Sequence, residues 1–302
     1  MNPLKPFSFR RRSRLRIVLA AAMALSLGLA ALPAANATAV AVAEPSKLEK
    51  QVQEWVSRLS EQPPFREWQG ADPQIEALGP GTHGWLVLFT KEGKHIGYMV
   101  VHAVTDGSFR LGEYGFGPFP LFSGQVLKRS LVDGGWISED RAEPIVAVKR
   151  YAHPFAAAWE VSIGSRAYWF DGKTAEQLPL DGKGWAERFP DSRETPAADD
   201  HDEKETRIES LRLNETFDAY ERLPWLENEK SFPADERPLR KRLDDGKHLR
   251  YVTEPFGDTM LYAVPVIGYQ RWTNGRLDIA LDMQGTRFVP LDALTEIGLF
   301  YR

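Results

Sequence analysis

Apolar side chains at Leu48, Val52, Trp55, Val56 and Leu59 recur at the spacing of one helical face, which predicts an amphipathic helix over 47–60. Ser46 stands where an N-cap belongs, Glu49 three residues on completes a capping box, and Pro63-Pro64 stops the helix. The pattern then changes to short apolar or alternating runs punctuated by turn residues. Strands are predicted over 85–90, 96–104 and 108–114, with turns at 91–94 and at Asp106-Gly107, which together make an antiparallel meander. The loop 115–120, Gly-Phe-Gly-Pro-Phe-Pro, cannot be a central strand. Ser123 caps a short helix through Val126, Leu127 and Leu131 that ends near Gly134-Gly135. A second strand set follows over 145–151, 157–163 and 166–170. Helix, three strands, helix, three strands is the same order twice, although residue identity is too low to establish a duplication.

Residues 191–205 break the pattern, with seven acids, two bases and nothing larger than Ala to bury. They read as a solvated linker, and the run Asp199-Asp200-His201-Asp202-Glu203 matches no ordered coordination loop. Beyond it, 208–220 is mixed and partly helical, and 238–243 reads as a short basic helix with Pro238 at its first position. Strands are predicted over 249–253, 261–272, 277–281 and 287–289, with Asn274-Gly275 and Gln284-Gly285 as turns and a closing helix over 291–297. The expected class is α+β, with antiparallel sheets and a few short helices. The expected organisation is an export signal over 1–39, an N-terminal region over 40–190, the acidic linker over 191–205 and a C-terminal region over 206–302.

The N-terminal pattern is of another kind. Lys5, Arg10, Arg11, Arg12, Arg14 and Arg16 form a basic head, 17–32 is an uncharged apolar run of 16 residues, and Ala35-Asn36-Ala37 and Ala37-Thr38-Ala39 offer small-residue cleavage sites. The run is shorter than the roughly 20 residues a spanning helix needs, so cleavage is favoured over an anchor. Arg14 argues against twin-arginine export. The expected location is outside the cell or in its envelope, with membrane attachment only if the signal stays uncut.

Charge sharpens this. The chain carries −4; without residues 1–39, Lys plus Arg falls from 38 to 32 against 42 acids, a net of −10. Bulk electrostatics therefore disfavour nucleic acid and leave room only for a local basic patch. With no cysteine, the chain has no disulfide, thiolate metal site, cysteine nucleophile or cysteine-linked lipid.

No HExxH, GxSxG, Walker-type or GxGxxG motif is present. His83, His95, His102 and His153 lie in the first region, but His102 and His95 fall on opposite strand faces, and no Ser sits on a nucleophile elbow. Glu113, Glu160, Asp171, Glu254 and Asp282 are eligible carboxylates, yet Asp171, Asp181 and Asp282 lie beside Gly and read first as turn residues. Trp55, Trp85 and Trp159 sit on apolar stripes and read as core, whereas Trp68, Trp136, Trp185 and Trp272 lie nearer turns and are candidates for exposure. No catalytic residue, metal ligand or cofactor is assigned.

The segment 158–179 runs through Tyr168-Trp169-Phe170-Asp171-Gly172-Lys173-Thr174-Ala175-Glu176. It resembles the closing hairpin of PepSY-type domains, which ends in an Asp-Ala-x-Thr-Gly-Glu turn. Asp171, Thr174 and Glu176 match, whereas Gly172 replaces the Ala and Ala175 replaces the Gly, which puts a left-handed turn residue there in doubt. The segments 97–101 and 111–115 are similar to a strand pair in the prodomain of streptopain-like secreted proteases. The resemblance spans about 84–179 and implies a non-catalytic module that inhibits or assists the folding of a protease. The functional expectation is an exported binding module. Its partner is an extracellular protein, a protease first, and the alternative is a wall glycan stacked on exposed Trp; an unrecognised hydrolase is third. The contact surface is assigned to Phe116, Pro118, Phe119, Pro120 and Phe122, with Trp136 and Trp272. N-terminal sequencing of exported protein is expected to find a chain beginning at Thr38 or Val40; recovery of Met1 in a membrane fraction would overturn cleavage.

Overall fold

A computed structural model describes residues 46–138, 145–190 and 206–302. The signal segment, most of the tether after it and the acidic run with its Asp199–Glu203 cluster lie outside the described residues. The first helix, α1 (Lys47–Leu59), carries the full capping box: Ser46 Oγ accepts from the Glu49 N–H at 3.2 Å, and Glu49 accepts in return from the Ser46 N–H at 2.5 Å. Its apolar stripe buries Val52, Trp55 and Leu59. A 3-10 turn over Pro63–Trp68 then drives Phe65 and Trp68 into the same layer.

The fold is α+β, and every strand pairing among the described residues is antiparallel. The meander appears as β2 (Gly84–Lys91), β3 (Lys94–Ala103) and β4 (Phe109–Phe116), preceded by β1 (Asp72–Ala77). Strand β1 has no apolar alternation; its six residues pair one for one with Thr90 back to Trp85. Its exposed carboxylates and Pro73 suit it to the sheet margin, where they hinder pairing with another chain. The helix α2 (Gly124–Asp133) is capped by Ser123, and β5 (Val146–His153), β6 (Ala156–Ile163) and β7 (Arg166–Asp171) form a separate three-stranded sheet.

After α3 (Gly182–Arg188) come β8 (Ile208–Leu213), α4 (Glu236–Asp244), β9 (Leu249–Thr253), β10 (Tyr262–Trp272), β11 (Leu277–Asp282), β12 (Thr286–Pro290), α5 (Leu291–Ile297) and β13 (Gly298–Tyr301). Their strands do not make a second sheet. Strand β12 pairs with β4 through Arg287 opposite Gly115 and Phe288 opposite Tyr114, so one sheet runs β1-β2-β3-β4-β12-β11-β10-β9-β13. Residues Pro45–Arg302 accordingly form one compact unit containing strands from both expected regions.

Several expectations are corrected. The stretch read as mixed and partly helical begins as strand β8, because β10 bends at Gly268 and offers successive halves of one edge to β9 and β8. A Cβ on Gly268 would lie 2.0 Å from the Arg212 carbonyl oxygen, so only glycine allows that approach. Helix α4 begins two residues earlier than predicted. Pro238 therefore sits at its third position, still within the first turn where no intrahelical N–H bond is lost. Asp181 is the N-cap of the unpredicted α3, accepting from the Gly184 N–H at 2.7 Å.

Period-two alternation divides the large sheet's contacts. Val87, Phe89, Met99 and Val101 face α1 and the 3-10 turn, while Leu86, Leu88, Tyr98 and Val100 face α2 and the small sheet. Between the layers lies a fully buried ion pair of Glu113 on β4 and Arg287 on β12. Arg287 also donates to the Pro154 carbonyl at 2.7 Å and lies over the Phe155 ring at 5.2 Å, tying the pair to the small sheet. A second buried network joins the same halves: Asp278 accepts from Tyr114 Oη at 2.8 Å, Trp272 Nε1 at 2.7 Å and Arg276 Nε at 2.8 Å. Breaking one partner of the buried pair strands a charge, so Glu113→Gln and Arg287→Met are each expected to lower unfolding free energy by about 3–5 kcal/mol. Urea titration checks this, and a loss below about 1 kcal/mol in both would show that the seam does not depend on the pair.

Candidate functional site

The turn after β7 forms because Asp171 gathers the backbone donors behind it. Its Oδ1 accepts from the Lys173 N–H at 2.7 Å, the Thr174 N–H at 2.6 Å and the Thr174 hydroxyl at 3.1 Å. Thr174 Oγ1 then accepts from the Glu176 N–H at 3.3 Å, and the Asp171 N–H donates to the Glu176 carbonyl at 2.7 Å. Ala175 adopts φ +56°, so the left-handed residue placed in doubt by the missing glycine is present. It is held there although the conformation costs a β-carbon roughly 1–2 kcal/mol.

This turn anchors the surrounding segments. The buried Lys173 reaches the carbonyls of Phe119 in the Pro-rich loop and, at 3.2 Å, of Gln284 in the β11–β12 turn. Ser130 of α2 donates to the Ala175 carbonyl at 2.6 Å, Phe122 N–H to the Gly172 carbonyl at 2.7 Å, and Tyr262 Oη to Asp171 Oδ2 at 2.7 Å. Phe122 is itself left-handed at φ +55°, so two strained non-glycine residues flank one turn. Burial, with Arg287 next, pushes the Lys173 ammonium down to about 8. Burial likewise raises the Glu113 carboxyl against the pull of Arg287 and Lys173. Glu113 Oε1, Arg287 Nε and Tyr98 Oη make no hydrogen bond among the described residues.

Above these bonds opens a groove of about 950 Å³ between the Pro-rich loop, α2 and the turn. Pro118, Phe119, Val126, Trp136 and Phe170 form its apolar wall, and Arg129, Asp133, Thr174, Gln177 and Gln284 its polar margin. Phe119 is 38% exposed, and Trp136 is half-buried with its ring 4.5 Å from that of Tyr168. No family model, curated protein or solved structure matches the chain. The geometry of the site therefore stands on its own.

Of the residues expected at a contact surface, the fold brings Pro118, Phe119 and Trp136 to this groove, together with Thr174 of the turn. The others are taken up by packing. Phe116 turns toward Phe65 at 5.4 Å, Pro120 is buried, and Phe122 packs edge-on to Trp159 at 5.1 Å. Trp272, expected near the surface, is 2% exposed because its indole N–H serves the Asp278 network. Trp68 is buried too, stacked on Phe89 at 4.3 Å. Glu176 is exposed, its carboxyl raised by partial burial and then by the Asp171 charge. Sequence reasoning missed Lys173, Arg129 and Gln284; the bond-rich turn motif around Lys173 was the only signal for them.

Among the described residues His102 and His153 join no Ser–His–carboxylate arrangement. Neither bonds a Ser or a carboxylate among the described residues; His102 packs near Tyr151, and His153 Nδ1 accepts from the Phe155 N–H at 3.3 Å. Among the described residues no group of three or more His, Asp or Glu could hold a metal ion. Glu160 is engaged by Arg150 at 2.7 Å, and Asp282 accepts from Thr216.

Burial pushes both imidazoles down to about 4, with Arg110 and then Arg276 adding to the effect at His102, and Arg287 at His153. Each stays neutral in the folded state where the unfolded chain, at the usual 6.5, takes up a proton. The stability linked to neutral imidazole is thus complete above about pH 6.5 and is lost as pH falls toward about 4. Unfolding titrations across that window are expected to show a shallower decline for His102→Gln and His153→Gln than for the unaltered protein. Identical slopes would show that the two rings titrate normally in the fold.

Proposed function

We propose that the chain is an exported, non-catalytic binding protein that seats an extended segment of another extracellular protein in the groove over the 171–177 turn. The observation carrying this reading is the groove itself. An exposed Phe119 and a half-buried Trp136 stand over a base fixed by the carboxylate of Asp171 and the ammonium of Lys173. Pre-set apolar walls favour a segment presenting an aliphatic or aromatic side chain, because little side-chain freedom remains to be lost on binding. The polar margin can take the backbone amides of that segment. The resemblance of 158–179 to a PepSY-type hairpin supports a secreted protease as the partner, restrained or assisted in folding.

A wall glycan is the second reading, favoured by Trp136 beside Gln177 and Gln284, an aromatic face next to amide groups that can bond hydroxyls.

Purified mature protein mixed with the host's extracellular proteases is expected to change the rate or refolding yield of at least one. Phe119→Ala and Trp136→Ala should each weaken that effect about tenfold, as loss of a contact anchor does, with stability held to within about 1 kcal/mol. No effect on any protease, combined with retention on wall material that Trp136→Ala abolishes, would replace the protease reading with the glycan one.

A further inference from the structure

A second groove, sharing no lining residue with the first, has the opposite chemistry. About 1010 Å³ in volume, it lies where the end of α4, the 247–250 segment and the 221–227 loop meet Arg302. Six Lys and Arg line it against Glu221, Glu227 and Asp245, in a chain whose net charge is −4.

At its base sits Arg250, only 4% exposed. Its Nε is held by the Ala219 carbonyl at 2.8 Å and its Nη1 by the Arg302 carbonyl at 3.0 Å, with Phe217 beneath the guanidinium at 5.0 Å. His248 stacks on the same Phe217 ring, 4.3 Å from it and parallel. The guanidinium is thus fixed in place by two main-chain oxygens, Glu229, Glu221 and Glu227 offset part of the cost of its burial, and no bond among the described residues occupies Nη2. A cation buried to this extent gains further from an anion that reaches its open Nη2. Burial, with the Arg222 charge second, also lowers the pKa of Arg250.

The nearby acids are partly spent. Glu227 is bound to Arg222 at 2.5 Å, and Glu229 lies 3.5 Å from the same guanidinium. Lys241 and Lys247 are exposed and form no ion pair among the described residues. Opposition to the α4 dipole accounts for Lys241 and Arg242 near the helix C-terminus. It accounts neither for Lys247, beyond the helix, nor for the buried Arg250.

We propose that this groove is a binding site for a multiply charged phosphate-type oxyanion, with Arg250 as the fixed anchor and Lys241 and Lys247 closing over the remaining oxygens. The planar guanidinium fork suits tetrahedral oxyanions, and the mobile ammonium groups supply charge from the margin.

Inorganic pyrophosphate titrated into the full chain at low salt, followed by calorimetry, tests this, with citrate as the carboxylate control. Saturable one-site binding is expected. It should weaken about tenfold or more in the Lys241→Glu/Lys247→Glu double variant, whose exposed positions leave folding intact, and fall as salt rises. Arg250→Lys should weaken it further, with a lower melting temperature because the same side chain holds the Ala219 and Arg302 oxygens. Absence of saturable pyrophosphate binding, equal binding of citrate, or affinity unaltered in the double variant would overturn the proposal.

Discussion

The contact on which this architecture turns is the buried pairing of Glu113 with Arg287. It lies where β4 meets β12, the one strand junction that makes a single large sheet from the two parts of the chain. That junction is short, with two registered residue pairs, so backbone bonding alone specifies it weakly. A one-residue slip of β12 would turn Arg287 to the other face and leave each charge without its partner. The penalty for a stranded buried charge thus does for register what a longer ladder does elsewhere. The Asp278 network repeats the device one strand over, with Tyr114, Trp272 and Arg276 converging on a single carboxylate.

From that seam, polar contacts lead outward to the surface. Arg287 reaches the Pro154 carbonyl of the small sheet, and Lys173 links the turn after β7 to the Pro-rich loop and to the β11–β12 turn. The groove owes its shape to these bonds. Three loops that share no sequence signal are held around one buried ammonium, and Phe119 is left outward because its own carbonyl is the group being held. Strain at Phe122 and Ala175 belongs to the same arrangement, since surrounding contacts maintain backbone angles that neither residue favours by itself.

The two grooves show how one acidic chain can present separate chemistries. The first is apolar with a mixed margin; the second gathers cations around a guanidinium that the fold has buried and oriented. Net charge describes neither, because at physiological ionic strength fields between exposed charges fade over about 8 Å, and local composition decides what a surface attracts.

Much of the local structure was legible in the residues. The capping box of α1, the meander over β2–β4, the Ser123 cap of α2, the small sheet and the hairpins at Asn274-Gly275 and Gln284-Gly285 all follow from periodicity and turn chemistry, which act within a few residues. Strands β1 and β13 were not legible. Strand β1 has no alternation to announce it and exists because β2 offers a free edge, and β13 is four residues long. Strand β8 became extended because β10 bends at Gly268. Burial of Trp272 was hidden too, since the carboxylate it serves is on the neighbouring strand. Of the site, the Asp171–Thr174 turn and the aromatic loop could be read in advance, but not which of their side chains would remain outside. Sequence by itself determined the α+β class, most elements and the turn motif; tertiary structure decided that the strands merge into one sheet, which aromatics face the groove, and where the cations gather. The division is physical: propensity and capping act over one or two turns of chain, whereas strand partners, burial and charge neighbours depend on which strands the fold sets side by side, up to the 174 positions between Glu113 and Arg287.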